Sequence, residues 1–100
     1  MATPVTSDQL LSSLRQIRAD VEVRYPIRLI GLIGSAARDE LREDSDIDVL
    51  AEYRPGLSLT KLGAVHLLLA ERLGRGVDIV LEEGLTPGVR RRVMRDLRRI

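Results

Sequence analysis

One hundred residues give one domain with room for a single core, and none for a second large substrate-binding domain. Hydrophobic residues make up 44% and charged residues 31%, the formal charge is +1, and cysteine is absent, which excludes disulfides, thiolate metal sites and cysteine nucleophiles. Tyr25 and Tyr53 are the only aromatics, so the chain has no stacking platform for single-stranded nucleic acid. A basic leader followed by an apolar run is missing, as is any stretch of about eighteen apolar residues, and the expectation is a cytoplasmic protein with no membrane association. Charge is spread unevenly. Residues 39–48 carry six acids against one arginine, whereas residues 89–100 carry six arginines against one acid.

In chain order, Thr6-Ser7-Asp8-Gln9 fits a capping box, and Leu10, Leu14, Ile17 and Val21 form one stripe of a helix over about residues 7–23. Tyr25-Pro26 stops it, because the residue before proline is pushed out of the helical region. Ile27 to Ile33, apolar apart from Arg28, predicts a strand buried on both faces. Gly34-Ser35 ends that strand, with Ser35 expected to cap a short helix over about residues 36–42. The next strand is predicted over residues 45–53, followed by a Pro55-Gly56 turn. Ser58 caps a third helix with Leu59, Leu62, Val65, Leu69 and Leu73 on one face, and Gly74 and Gly76 bracket its exit. A strand over residues 77–81 follows. Thr86-Pro87 then opens a last helix, with Val89, Val93, Leu97 and Ile100 as its stripe. The pattern predicts one α/β (α+β) domain over residues 1–100, a small mixed β-sheet of about three or four strands flanked by about four helices.

The chemistry concentrates between Leu29 and Tyr53. Side chains two apart on a strand share a face, so Asp46 and Asp48 present their carboxylates together, with Ile47 and Val49 opposite. An isolated Asp-x-Asp reads most simply as a solvated edge strand. Beside a divalent cation the same pair becomes a chelate, and its all-oxygen donors favour Mg²⁺ or Mn²⁺. Gly34-Ser35 supplies the second piece: a glycine at a strand-to-helix junction lets the backbone approach a phosphate, and the serine hydroxyl adds a donor. Asp78, set between Val77 and Ile79, either faces solvent or completes a three-carboxylate cluster.

Gly34-Ser35, ten intervening residues, Asp46-x-Asp48 and the later strand acid Asp78 together resemble the nucleotidyltransferase superfamily related to DNA polymerase β. The pattern is most similar to its smallest branch, the minimal nucleotidyltransferase (MNT) proteins, from about Arg28 to the end of the chain. The resemblance implies the polymerase-β-like fold, Gly34 and Ser35 on the β- and γ-phosphates of ATP, and Asp46, Asp48 and Asp78 as ligands of two Mg²⁺ ions. It also implies that Asp78 helps activate an acceptor hydroxyl. Arg38, one turn after Ser35, offsets triphosphate charge or else pairs on the surface with Asp39 or Glu43. Two departures stand out: members often have Arg-Gly at Arg38-Asp39 and phenylalanine at Ile33, and Asp39 adds negative charge near the phosphates.

MNT proteins are commonly the antitoxin of a toxin–antitoxin pair and adenylylate a tyrosine of a HEPN-type ribonuclease toxin. The resemblance therefore implies a hetero-oligomer with such a toxin. Two other readings remain open at this point: a binding-only antitoxin with a degraded nucleotide site, and a nucleic-acid-binding regulator using Arg90, Arg91, Arg92, Arg95, Arg98 and Arg99. The arginines read more simply as a solvated face balancing the acidic stretch. His66, with no second histidine in the chain, reads as a helix-surface or core residue, and both tyrosines as partial core.

Overall fold

A computed structural model describes residues 5–100; the first four residues of the predicted domain lie outside the described residues. The capping box forms as the sequence predicts: the Thr6 hydroxyl accepts from the Gln9 amide, and the Gln9 side chain accepts from the Thr6 amide at 3.0 Å. This starts helix α1, Ser7–Arg24, which ends where Tyr25 turns extended ahead of Pro26. Strand β1 is Ile27–Ile33, α2 is the single turn Gly34–Ala37, and β2 is Ile47–Tyr53. Helix α3, Leu59–Leu73, is opened by the Ser58 hydroxyl accepting from the Lys61 amide and closed by Gly74 at φ +71°. Strand β3, Val77–Leu81, a short 3-10 turn over Glu82–Gly84, helix α4 at Pro87–Asp96 and strand β4 at Arg98–Arg99 complete the chain.

The sheet order is β3-β2-β1-β4. β1 runs antiparallel to β2 and β4, while β2 and β3 are parallel, so α3 is the crossover that a parallel pair requires. Leu10, Leu14, Ile17 and Val21 of α1 pack with Val65 and Leu69 of α3 over one sheet face, onto Ile27, Leu29, Leu32, Ile47, Val49 and Val77. Alternation along β2 then turns Asp48 to the other face, which α4 partly crosses through its contacts with β1 and α2. Among the described residues no helix is long and apolar enough to cross a membrane.

The bounds of three elements and the place of one core residue differ from the sequence reading. The second helix starts at Gly34 and stops at Ala37, with Ile33 in the cap position, so Ser35 lies inside the turn and caps nothing. Strand β2 begins at Ile47, leaving Asp46 just ahead of it. Leu59 is 88% exposed and contributes nothing to the α3 core stripe. The last helix stops at Asp96, because the chain turns extended at Leu97 and finds unpaired backbone along β1. There Arg98 and Arg99 pair with Leu32 and Gly31, and the Ile100 amide donates to the Ile30 carbonyl at 3.0 Å. Gly31 makes this possible: a side chain there would collide with the Arg98 backbone. An apolar spacing of three or four cannot reveal such an edge.

Candidate active site

The end of β1 turns sharply into α2 through Gly34, whose φ of +65° is a left-handed conformation that side chains resist. A Cβ at this position would also stand 2.7 Å from Oδ2 of Asp48. Glycine is thus required twice, by the backbone and by the carboxylate lying against it. Ser35 is half-buried beside it, and its carbonyl accepts from the Glu40 amide at 2.9 Å, which shapes the exit of the turn.

Strand register brings one of the expected acids, Asp48, to this turn and sets Asp78 beside it on the next strand, where Asp78 lines a separate groove with Leu62 and His66. Ile33 pairs with Asp48 across β1 and β2, and Asp48 pairs with Asp78 across β2 and β3. Asp46, two residues upstream, alternates with the fully buried Ile47 and Val49 in the same sense as Asp48. Its carboxylate lies against Gly76, where any side chain would overlap it, and the Gly76 carbonyl accepts from the Ile47 amide at 2.9 Å. Partial burial pushes the Asp48 carboxyl above the ordinary aspartate range, and the like charges of Asp78 and then Asp46 push it the same way. No cation offsets this push on Asp48, although among the described residues no three acids or histidines stand close enough to grip an ion unaided. Hard oxygen donors sharing an unrelieved negative field suit Mg²⁺ rather than a softer metal.

Arg38 follows the turn and is exposed, but its partners are not the ones the sequence suggests. It donates to Asp96 of α4 at 2.8 Å and to Glu40 at 3.1 Å, and both contacts raise its pKa, Glu40 first. Asp39 points elsewhere. Its carboxylate accepts from the Ser7 amide at 2.6 Å and the Ser7 hydroxyl at 3.0 Å, at the start of α1, and these bonds hold its pKa below the ordinary value. Its backbone sits at φ +57°, a left-handed conformation that glycine adopts freely and that aspartate tolerates better than most residues. The charge expected near the phosphates is therefore committed to the first turn of α1, with Arg98 also nearby.

Two contributors escaped the sequence reading. The Arg75 guanidinium, just after α3, donates to the carbonyls of Arg42, Glu43 and Ser45, the latter two at 3.1 and 3.0 Å, and so ties down the acidic loop leading into Asp46. Helix α4 contributes a wall: Val89, Arg92, Val93 and Asp96, spaced to share one helix face, close a cleft of about 370 Å³ against Ile33, Gly34, Arg38 and Asp48. Val89 and Val93 were legible as an apolar stripe, but nothing in the sequence says that the stripe covers the Gly34 turn. His66 is exposed and its Nε2 lies 2.6 Å from the Val77 carbonyl, the helix-surface one of the two expected placements. Tyr25 packs against the core, whereas Tyr53 is 44% exposed and does not.

Comparison with known proteins gives this arrangement a lineage. Residues 14–100 match the nucleotidyltransferase domain family. The chain is 32% identical over 93 residues to the protein adenylyltransferase MntA of Thermococcus cleftensis, spanning 93% of this chain and 94% of that one. A solved structure assigned as a minimal nucleotidyltransferase superposes with a TM-score of 0.70 at 39% identity, covering 90% of this chain and 93% of the other. The crystal structure of a toxin–antitoxin with AMP-PNP shares the fold at a TM-score of 0.66 and 20% identity, over 95% of this chain and 72% of that chain. With the Gly34 turn, the aligned acids and the four-stranded mixed sheet in hand, the chain belongs to the nucleotidyltransferase family, on its minimal branch.

Proposed function

We propose that residues 1–100 act as one minimal transferase domain that moves AMP from ATP to a hydroxyl, a tyrosine of a HEPN-type toxin, and so neutralises that partner within a hetero-oligomer in the cytoplasm. The observation that carries this reading is the register aligning Ile33, Asp48 and Asp78 across three strands beside the Gly34 turn. Adenylyltransferase and toxin–antitoxin relatives support the donor and the class of partner.

In this reading Gly34 and Ser35 receive the β- and γ-phosphates, with Arg38 beside them, and Asp46, Asp48 and Asp78 hold the metals. Two Mg²⁺ ions, when bound, supply charge that stabilises the attacking and leaving oxygens. The acceptor oxygen forms a bond to the α-phosphorus while the bond to the β-phosphate bridge breaks, releasing pyrophosphate. Asp78, exposed on the β3 edge, takes the hydroxyl proton. The pairing of Asp48 with Asp78 across β2 and β3 supports this reading, since neighbouring strands carry both carboxylates.

Blocking by binding alone is favoured by one observation: Arg38 is already engaged by Glu40 and Asp96 and is not free for a phosphate. Intact mass separates the two readings. The partner, co-expressed and incubated with this protein, Mg²⁺ and ATP, should gain one or more AMP units, and should gain none with Asp46→Ala. A stable complex of unchanged mass would sink the catalytic reading and leave inhibition by occlusion.

A further inference from the structure

Helix α4 is the most basic segment of the chain, and its arginines do not all face the same surroundings. Arg90 pairs with Glu82 at 2.6 Å, while Arg91 and Arg95 flank Met94 on an outer patch away from the Gly34 turn. Arg92 alone among the helix's arginines lines the cleft with Gly34 and Asp48. Among the described residues it makes no ion pair.

The charge balance of that cleft needs such a residue. Asp48 and Asp96 both line it, and the cleft's other cation, Arg38, is spent on Asp96 and Glu40. A triphosphate entering beside Gly34 would meet two carboxylates and one neutralised arginine unless a further cation turned toward it. Arg92 lies one helical turn before Asp96, on the same face and beside Val93, so it lines the cleft from the α4 wall, across from Asp48. Its planar fork suits phosphate oxygens better than a point charge does.

We propose that Arg92 is a triphosphate-binding residue, gripping the phosphate end of the nucleotide from α4. The assignment rests on the nucleotide reading above and adds a residue to it. It also gives part of the arginine-rich helix a role that is neither a solvated face nor a nucleic-acid surface: α4 closes the nucleotide cleft.

Titration calorimetry of ATP and of AMP, each with Mg²⁺, into the folded protein tests this. Arg92→Ala should weaken ATP binding about tenfold or more, as expected for loss of a charge-assisted contact, with AMP binding almost unchanged. Arg92→Lys should recover part of the loss, and Arg95→Ala, on the outer patch, should bind ATP as the unaltered protein does. Arg92→Gln, which keeps the helix and the side-chain length, serves if the alanine variant melts early. Unaltered ATP affinity in Arg92→Ala and Arg92→Gln, or equal losses for ATP and AMP, would overturn the assignment. Failure of the unaltered protein to bind ATP at all would overturn the nucleotide reading itself, an outcome distinct from the other two.

Discussion

Asp39 and Asp48 lie nine residues apart in one acidic stretch, yet the fold treats them in opposite ways. Asp39 accepts two hydrogen bonds from Ser7 at the start of α1, with Arg98 close by, and its pKa is lowered. Asp48 is half-buried beside Asp78 and Asp46 with no cation near enough to quiet it, and its pKa is raised. The first acid is finished by the fold and serves architecture. The second is left electrostatically incomplete, which is what the metal site we propose would relieve.

The sharpest way to break this contrast is to delete Asp48. Asp48→Ala should reduce AMP transfer on the order of a thousandfold or more, while the melting temperature stays level or rises because an uncompensated charge has gone. A rate close to that of the unaltered protein would remove Asp48 from the metal site. Gly34→Ala should follow, with transfer down roughly a hundredfold and stability lower by about 1–2 kcal/mol, since a left-handed backbone and the Asp48 carboxylate both reject the new methyl. Denaturant melts alongside transfer rates check it.

Arg75→Ala probes the support of Asp46. Releasing the loop at residues 42–45 should cost about ten- to a hundredfold in transfer, with part of the loss recovered at high Mg²⁺. Full activity at low Mg²⁺ would show that the loop needs no such tether.

Acidity sharpens the comparison with opposite signs. The Asp48 value is raised above 3.8, so protons compete with Mg²⁺ at a higher pH than at an ordinary aspartate, and Mg²⁺-dependent nucleotide binding should fade early as pH falls. The Asp39 value is lowered below 3.8, so its contribution to stability is present above 3.8 and disappears as pH drops through the lowered value. The smallest effect belongs to Asp39→Gly. It should lower the melting temperature by only a few degrees at neutral pH, because relief of the φ +57° backbone offsets part of the lost Ser7 bonds, and it should leave transfer intact.

Most of the frame was legible because its signals are local. The Thr6–Gln9 box, the Tyr25-Pro26 stop, the buried run from Ile27 to Ile33 and the Gly74 exit each depend on residues within a turn of one another. The shared sense of Asp46 and Asp48 was legible too, because spacing along a strand fixes which side chains share a face, whereas grouping Asp78 and Gly34 with them rested on the family resemblance. What stayed hidden was long-range. The pairing of Arg38 with Asp96 spans 58 residues, and the Arg75 grip on the Asp46 loop spans more than 30. The two-residue strand β4 exists because β1 has a free edge and Gly31 has no side chain, neither of which shows in the arginine-rich tail itself. Asp39 was misread for the same reason, since its partner sits 32 residues earlier.

The Ser7 side chain has a consequence for how the molecule opens. It is 1% exposed, donates to Asp39, and accepts from Arg98, which also reaches Asp8 at 2.8 Å. Contacts 32, 90 and 91 residues apart in sequence thus meet at one hydroxyl and its neighbour. Segments joined in this way cannot fray singly: the first turn of α1, the loop after α2 and strand β4 should exchange their amide hydrogens at a common rate, as one cooperative unit. Since β4 anchors the far end of α4, the wall of the Gly34 cleft would inherit the opening frequency of a helix start at the other end of the chain.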